Sequence, residues 1–307
     1  NFVGNRSKLS SAFVTYSGFK PFSVSFGQFS ERFGFENNAS SKYTTFLEPA
    51  FVSVFAPTSR IGLSLNTYKN NLTANVGFNA TSSAYTLSRS DEFSTVSSRV
   101  TYTPLINNNN IIHLGVSGIY GKPKGDDYEY RVVAAPESKT AISLVDSGEI
   151  TDIKNINIVG FETMFQSNAL SLQAEYAFNH IKRKASPKIE HKTWYAQIAY
   201  TLTGEARKYV KEDGVFGNIS PNNPFDLKNG GVGAWEIGTR FNHVNLGKDL
   251  FLNTKGSKLD SISFALNWYP NDYVRFMTNY IIAKSKYSVL DNKNNPNILM
   301  FRAQFAF

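Results

Sequence analysis

The chain has 307 residues, of which 14% are aromatic (25 Phe and 16 Tyr), 18% are charged and none is Cys. It has no run of about 18 apolar residues, which excludes a transmembrane helix, and without Cys there is no disulfide framework. The net charge of +8, from 32 Lys+Arg against 24 Asp+Glu, admits a nucleic-acid partner, an anionic lipid surface or a path for small anions.

The sequence opens at Asn1 without an initiator Met or an apolar signal region, so we expect a start that is processed or incomplete. From there on the strongest signal is alternation with period two, which sends successive side chains to opposite faces of a strand. A strand is expected from Leu9 to Tyr16. Ile61, Leu63 and Leu65 then oppose Arg60, Gly62, Ser64 and Asn66. Leu170, Leu172, Ala174, Tyr176 and Phe178 oppose Ser171, Gln173, Glu175 and Asn179. Trp235, Ile237, Thr239 and Phe241 oppose Glu236, Gly238, Arg240 and Asn242, and Ile262, Phe264, Leu266 and Trp268 oppose Ser261, Ser263, Ala265 and Asn267. The chain ends on Leu299, Phe301, Ala303, Phe305 and Phe307 against Met300, Arg302, Gln304 and Ala306. These strands run about nine to eleven residues, the span of a tilted membrane-crossing strand, whereas strands of soluble proteins average about five to six.

Connections alternate in length. Short turns rich in Gly, Asn, Asp and Pro are expected at 18–21, 69–71, 107–110, 166–168 and 270–272. Longer connections lie between them at 31–59, 81–95, 121–152, 182–191, 246–258 and 285–296. Short turns on one side and long loops on the other are the habit of outer-membrane barrels. We therefore expect an all-β, transmembrane antiparallel β-barrel spanning 1–307 as a single domain, with about thirteen strands. An odd count in a barrel family of even counts predicts that further strands precede Asn1 or come from another chain. The connection 204–232 is long yet falls on the short-turn side. It either hides an extra hairpin or is a periplasmic segment that folds into the lumen.

The downstream half carries LTGEARKY at 202–209, GVFGNISPNNPF at 214–225, GAWEIGTRF at 233–241, NWYPNDYVRFMTNYI at 267–281 and the terminal RAQFAF. Upstream lie SFGQF at 25–29, SSKYTTFLEPA at 40–50, PES at 136–138 and LVDSGEI at 144–150. With these stretches the chain resembles the phosphate-selective porin O and P family. The resemblance implies a barrel of about sixteen strands in the bacterial outer membrane, usually a homotrimer, with basic residues lining an anion path. The arginine-rich motif of the family's early strands has no counterpart, in keeping with a deficit of about three strands.

The residues expected to carry function are basic, not catalytic. Alternation turns Arg60, Arg99, Arg240, Arg275 and Arg302 inward, since an arginine facing lipid costs up to about 2–4 kcal/mol at the midplane. Each could either line an anion path or pair with inward Glu162, Glu175 or Glu236. The loop 121–152 is the candidate constriction loop, with Lys122, Lys124 and Arg131, and Arg131 is the leading constriction residue. The segment 204–232 adds Arg207, Lys208 and Lys211. A lipase-type alternative rests on His113 and Ser117 sharing one face. We find no metal spacing, phosphate-cradling loop or nucleotide motif. The expected partners are small anions such as phosphate and outer-membrane lipid, with no cofactor and no nucleic acid. A general diffusion porin and an adhesin-like barrel are the competing readings.

Overall fold

The computed structural model describes residues 2–3, 6–7, 11–56, 59–81, 93–107, 109–125, 128–247, 257–286 and 293–306. Thirteen strands form one antiparallel meander: β1 (Ala12–Tyr16), β2 (Phe22–Phe29), β3 (Arg60–Lys69), β4 (Leu72–Thr81), β5 (Phe93–Ile106), β6 (Asn110–Pro123), β7 (Ile153–Ser167), β8 (Leu170–Arg183), β9 (Ile189–Thr201), β10 (Ala234–Asn245), β11 (Lys258–Tyr269), β12 (Val274–Lys286) and β13 (Asn297–Phe305). Each strand pairs with its neighbours in sequence, which satisfies the backbone N–H and C=O groups that lipid cannot. Among the described residues β1 and β13 do not pair with each other.

The strands alternate as expected, but most are longer than about nine to eleven residues, reaching 15 residues in β7. The extra length continues past the membrane span. It shortens the connection expected at 182–191 to residues 184–188, so that junction is not a long loop. Most of the expected loops 81–95, 246–258 and 285–296 lies outside the described residues, as does Phe307. Tight turns sit where the composition placed them. At the β3–β4 turn both Asn70 and Asn71 adopt positive φ, 51° and 62°, which asparagine tolerates better than most residues.

The outward face is apolar and exposed: Leu63, Phe78, Leu114, Phe161, Ile198, Phe264, Leu299, Phe301 and Phe305 all lie on it. Near the short-turn rim Trp235 stacks on Trp268 and Trp268 on Phe276, each pair with centroids 5.5 Å apart. Both indole N–H groups donate to the Val232 carbonyl, at 3.2 and 2.9 Å. Aromatic residues with one wet edge form the girdles at membrane interfaces.

The inward face is not uniformly polar. Toward the long-loop side the walls turn Ile156, Ile158, Ala177, Ile181, Val244, Leu259, Ile281 and Ala283 inward. They pack on Phe33, Ala50, Phe51, Val52 and Phe55 of the β2–β3 connection, which carries a 3-10 helix at Phe51–Phe55. This interior cluster excludes water much as a soluble core does. The β7–β8 register places Glu162 opposite Glu175, both inward and buried, below that cluster.

Phe264 lies mid-strand on the outward face, 46% exposed. Phe264→Arg should lower the unfolding free energy in lipid vesicles by about 2–4 kcal/mol in equilibrium urea titrations, while Phe264→Leu should cost far less. Equal losses for the two variants would mean this face does not meet lipid.

Candidate functional site

Two segments enter the interior from opposite sides, joined by part of the 121–152 loop, and the basic residues are arranged around them. The first is the β2–β3 connection, 30–59. The motif FGFE at 33–36 lays its backbone against the β6–β8 wall. The Gly34 N–H donates to Ser117 Oγ at 3.0 Å, and the Phe35 and Glu36 N–H groups donate to the Glu175 carboxylate at 2.8 and 2.7 Å. Tyr195 Oη donates to the same carboxylate at 2.7 Å. Gly34 makes this possible: its φ is +65°, and a Cβ there would lie 2.2 Å from Glu175 Oε2.

The second is the β9–β10 connection. β9 pairs directly with β10, and the residues between them form a short hairpin of Tyr209–Val210 with Val215–Phe216. That hairpin packs beside the first segment, with the Phe35 and Phe216 rings 5.6 Å apart. Arg207 is buried. It donates to the Tyr43 carbonyl at 2.5 Å and to Thr45 Oγ1 at 2.8 Å, and it pairs with Glu236. Glu236 also accepts from Asn267 and Tyr269, both at 2.8 Å. Arg207 is thus a strut between the inserted segments and the wall, not an exposed ligand.

The inward strand arginines have the same character. Arg99 donates twice to Glu162, at 2.6 and 3.2 Å, and to the carbonyls of Asp213 and Gly214 at 2.6 and 2.9 Å. Room for this cluster comes from Gly115, where a Cβ would lie 2.5 Å from Glu162 Oε1. Arg240, fully buried, contacts Glu36 at 3.1 Å, pairs with Glu137 and stacks over the Phe46 ring at 4.2 Å. Arg60 lies 3.3 Å from Glu31 and donates to the Phe93 carbonyl at 2.8 Å. Arg275 donates to the carbonyls of Thr44 and Ser41 at 2.8 and 3.2 Å. Arg302 is the exception, partly exposed and 3.6 Å from Glu48.

The sequence reading missed the carboxylates Glu31, Glu36, Glu48 and Glu137, because they sit in loops far from their partners along the chain. Burial alone would raise the Glu137 pKa, but the Arg240 charge and hydrogen bonds from Ser261 and Ser263 outweigh it and hold the carboxyl below its ordinary value. At Glu31 burial wins over Arg60 and Thr95, and the pKa is raised.

The loop 121–152 contributes differently from expectation. Glu137 reaches the interior, accepting from Ser263 at 2.6 Å. Arg131, the leading candidate, is half exposed and clamped to Asp146 by two bonds of 2.8 and 2.6 Å. Lys122 continues strand β6 on the outward face with Leu114, Val116 and Tyr120, so it points away from the lumen. Its position two residues from Tyr120 dictates this by strand parity. Lys124 is exposed, as are Lys208 and Lys211 on the inserted hairpin. His113 bonds Glu162 at 2.8 Å and Tyr209 Oη at 2.7 Å, while Ser117 accepts from Gly34; the two do not form a nucleophile–base pair.

The sequence matches the family described as phosphate-selective porin O and P over residues 1–307. The chain belongs to that family. It is 25% identical to Porin O of Pseudomonas aeruginosa over 331 aligned positions, covering 96% of this chain and 73% of that protein. Its fold is similar to OprB of Pseudomonas putida (TM-score 0.61, 11% identity, 96% of this chain and 72% of that one) and to an anion-selective porin from Comamonas acidovorans (TM-score 0.55, 11% identity, 96% and 74%). The porin is therefore an outer-membrane β-barrel, and it spans about three quarters of the length of these relatives.

Arg240→Ala should leave Glu36 and Glu137 buried without their cation, a loss of about 3–5 kcal/mol for a broken buried pair. The expected outcome is release of the inserted loop: single-channel conductance rises and flickers, while far-UV circular dichroism keeps its strand signal. Unchanged conductance would show that Arg240 does not anchor the loop.

Proposed function

We propose that this porin passes small anions such as phosphate down their gradients through a narrowed, wet passage in its lumen. The observation that carries this reading is the state of the interior carboxylates. Glu31, Glu36, Glu48, Glu137, Glu162 and Glu236 each lie against an arginine, and Glu175 accepts from backbone N–H groups and Tyr195. Such groups attract cations weakly, whereas Lys208 and Lys211 stand exposed on the inserted hairpin and outnumber its exposed Glu212. An excess of uncancelled positive charge raises the local concentration of anions.

In this reading the buried arginines hold the constriction in shape. The field that attracts anions comes from Lys208 and Lys211, while Arg131 near the long-loop mouth is shared with Asp146. No cofactor or energy source enters the mechanism, and assembly as a homotrimer belongs to the same proposal.

Reversal potentials in asymmetric potassium chloride should favour chloride. The preference should weaken as ionic strength rises, because screening lengths shrink from about 8 Å at physiological salt to about 3 Å at 1 M. Replacing Arg131, Lys208 and Lys211 together by Ala should shift the potential toward cations with the barrel intact. A wild-type channel that prefers potassium would overturn the reading.

A further inference from the structure

The two inserted segments meet at one further ion pair. Arg32, from the β2–β3 connection, lies 2.7 Å from Asp213 at the tip of the β9–β10 hairpin. Unlike Arg60, Arg99, Arg207, Arg240 and Arg275, which are all buried, the pair is open: its side chains are 34% and 42% exposed. It borders a cavity of about 260 Å3, whose other walls include Asn37 and the inward Ser25, Ser64 and Asn66 of β2 and β3. Those walls offer hydroxyl and amide groups but no further charge, so the pair sets the local field.

We infer that the Arg32–Asp213 pair is the charge filter of the passage, an arginine that a passing oxyanion borrows from its resident carboxylate. The inference rests on the anion reading above. Each partner comes from a different inserted segment, so the pair sits where the two close on each other. A guanidinium presents paired N–H donors that match an oxyanion's geometry, and the amide of Asn37 adds a neutral donor beside it. Asp213 competes for the same N–H groups. That competition keeps the site weak, as conduction requires, since an ion must leave as readily as it enters. The hairpin tip does not depend on the Asp213 carboxylate for its position, because Arg99 holds the Asp213 and Gly214 carbonyls at 2.6 and 2.9 Å. Asp213→Asn therefore changes a charge while keeping the shape.

The test measures chloride-over-potassium permeability ratios of the full chain in planar bilayers, with inorganic phosphate then added as a blocker. Asp213→Asn should raise the ratio by a factor of about two to five, the range carried by a solvent-exposed charge pair, and should deepen phosphate block. Arg32→Gln should lower the ratio and abolish the block. The double variant should return the ratio toward wild type while leaving phosphate block absent. Opposite shifts from two charge-neutralising changes cannot come from misfolding. If wild type prefers anions and neither variant moves the ratio, this pair is not the filter and the broader reading stands. If wild type prefers cations, the anion reading fails and the filter fails with it.

Discussion

A charge placed inside this barrel must be matched there, and Arg240 is where that constraint organises the most structure. It projects inward from β10 with no exposed surface. Its guanidinium reaches Glu36 and the Glu48 carbonyl on one inserted segment and Glu137 on another, and covers the Phe46 ring. A single side chain thereby fastens two loops to the wall. Without it two carboxylates would remain buried, and neither could stay charged at tolerable cost.

The interior divides accordingly. Toward the long-loop side the β7–β12 wall is sealed by aliphatic and aromatic packing. The Glu162 and Glu236 clusters lie below it, each paired with an arginine, and Glu175 is held there by backbone N–H groups and Tyr195. The β2–β4 wall presents Ser64, Asn66, Asn75 and Asn79, with Arg60 at one end buried against Glu31. Water and solutes partition to the polar side for the reason apolar surface excludes them.

The spanning strands were legible in the sequence because lipid on one side and lumen on the other impose a strict period of two, as at Trp235–Phe241 and Leu299–Phe305. The turns were legible through Asn70 and Asn71. That the 30–59 connection folds inward beside part of 121–152 was not. Five phenylalanines at 33, 35, 46, 51 and 55 stand in the 30–59 connection, more apolar surface than a solvated loop exposes, and that was the available signal. It was outweighed by the length of 121–152. Inward Ile156, Ile158 and Ile181 were obscured for a related reason: where both faces of a strand are apolar, alternation fades. The ion-pair partners stayed hidden because Arg240 and Glu36 are 204 residues apart, and parity predicts a side chain's face but not what a folded-in loop brings to it.

The family-level expectation of an arginine-lined path needs a finer distinction in this chain. Arginine is suited to both roles that the lumen demands. Buried beside a carboxylate and further acceptors, it has most of its five donors occupied and acts as a rigid tie, as Arg99 and Arg207 do. Partly exposed beside one carboxylate, it retains donors that a solute can reach. The difference lies in the number of acceptors that the fold supplies, not in the residue. Counting arginines in the sequence therefore overstates the number available to an ion. The two inserted segments, by supplying backbone carbonyls, decide which arginines are structural and which remain open to the solute.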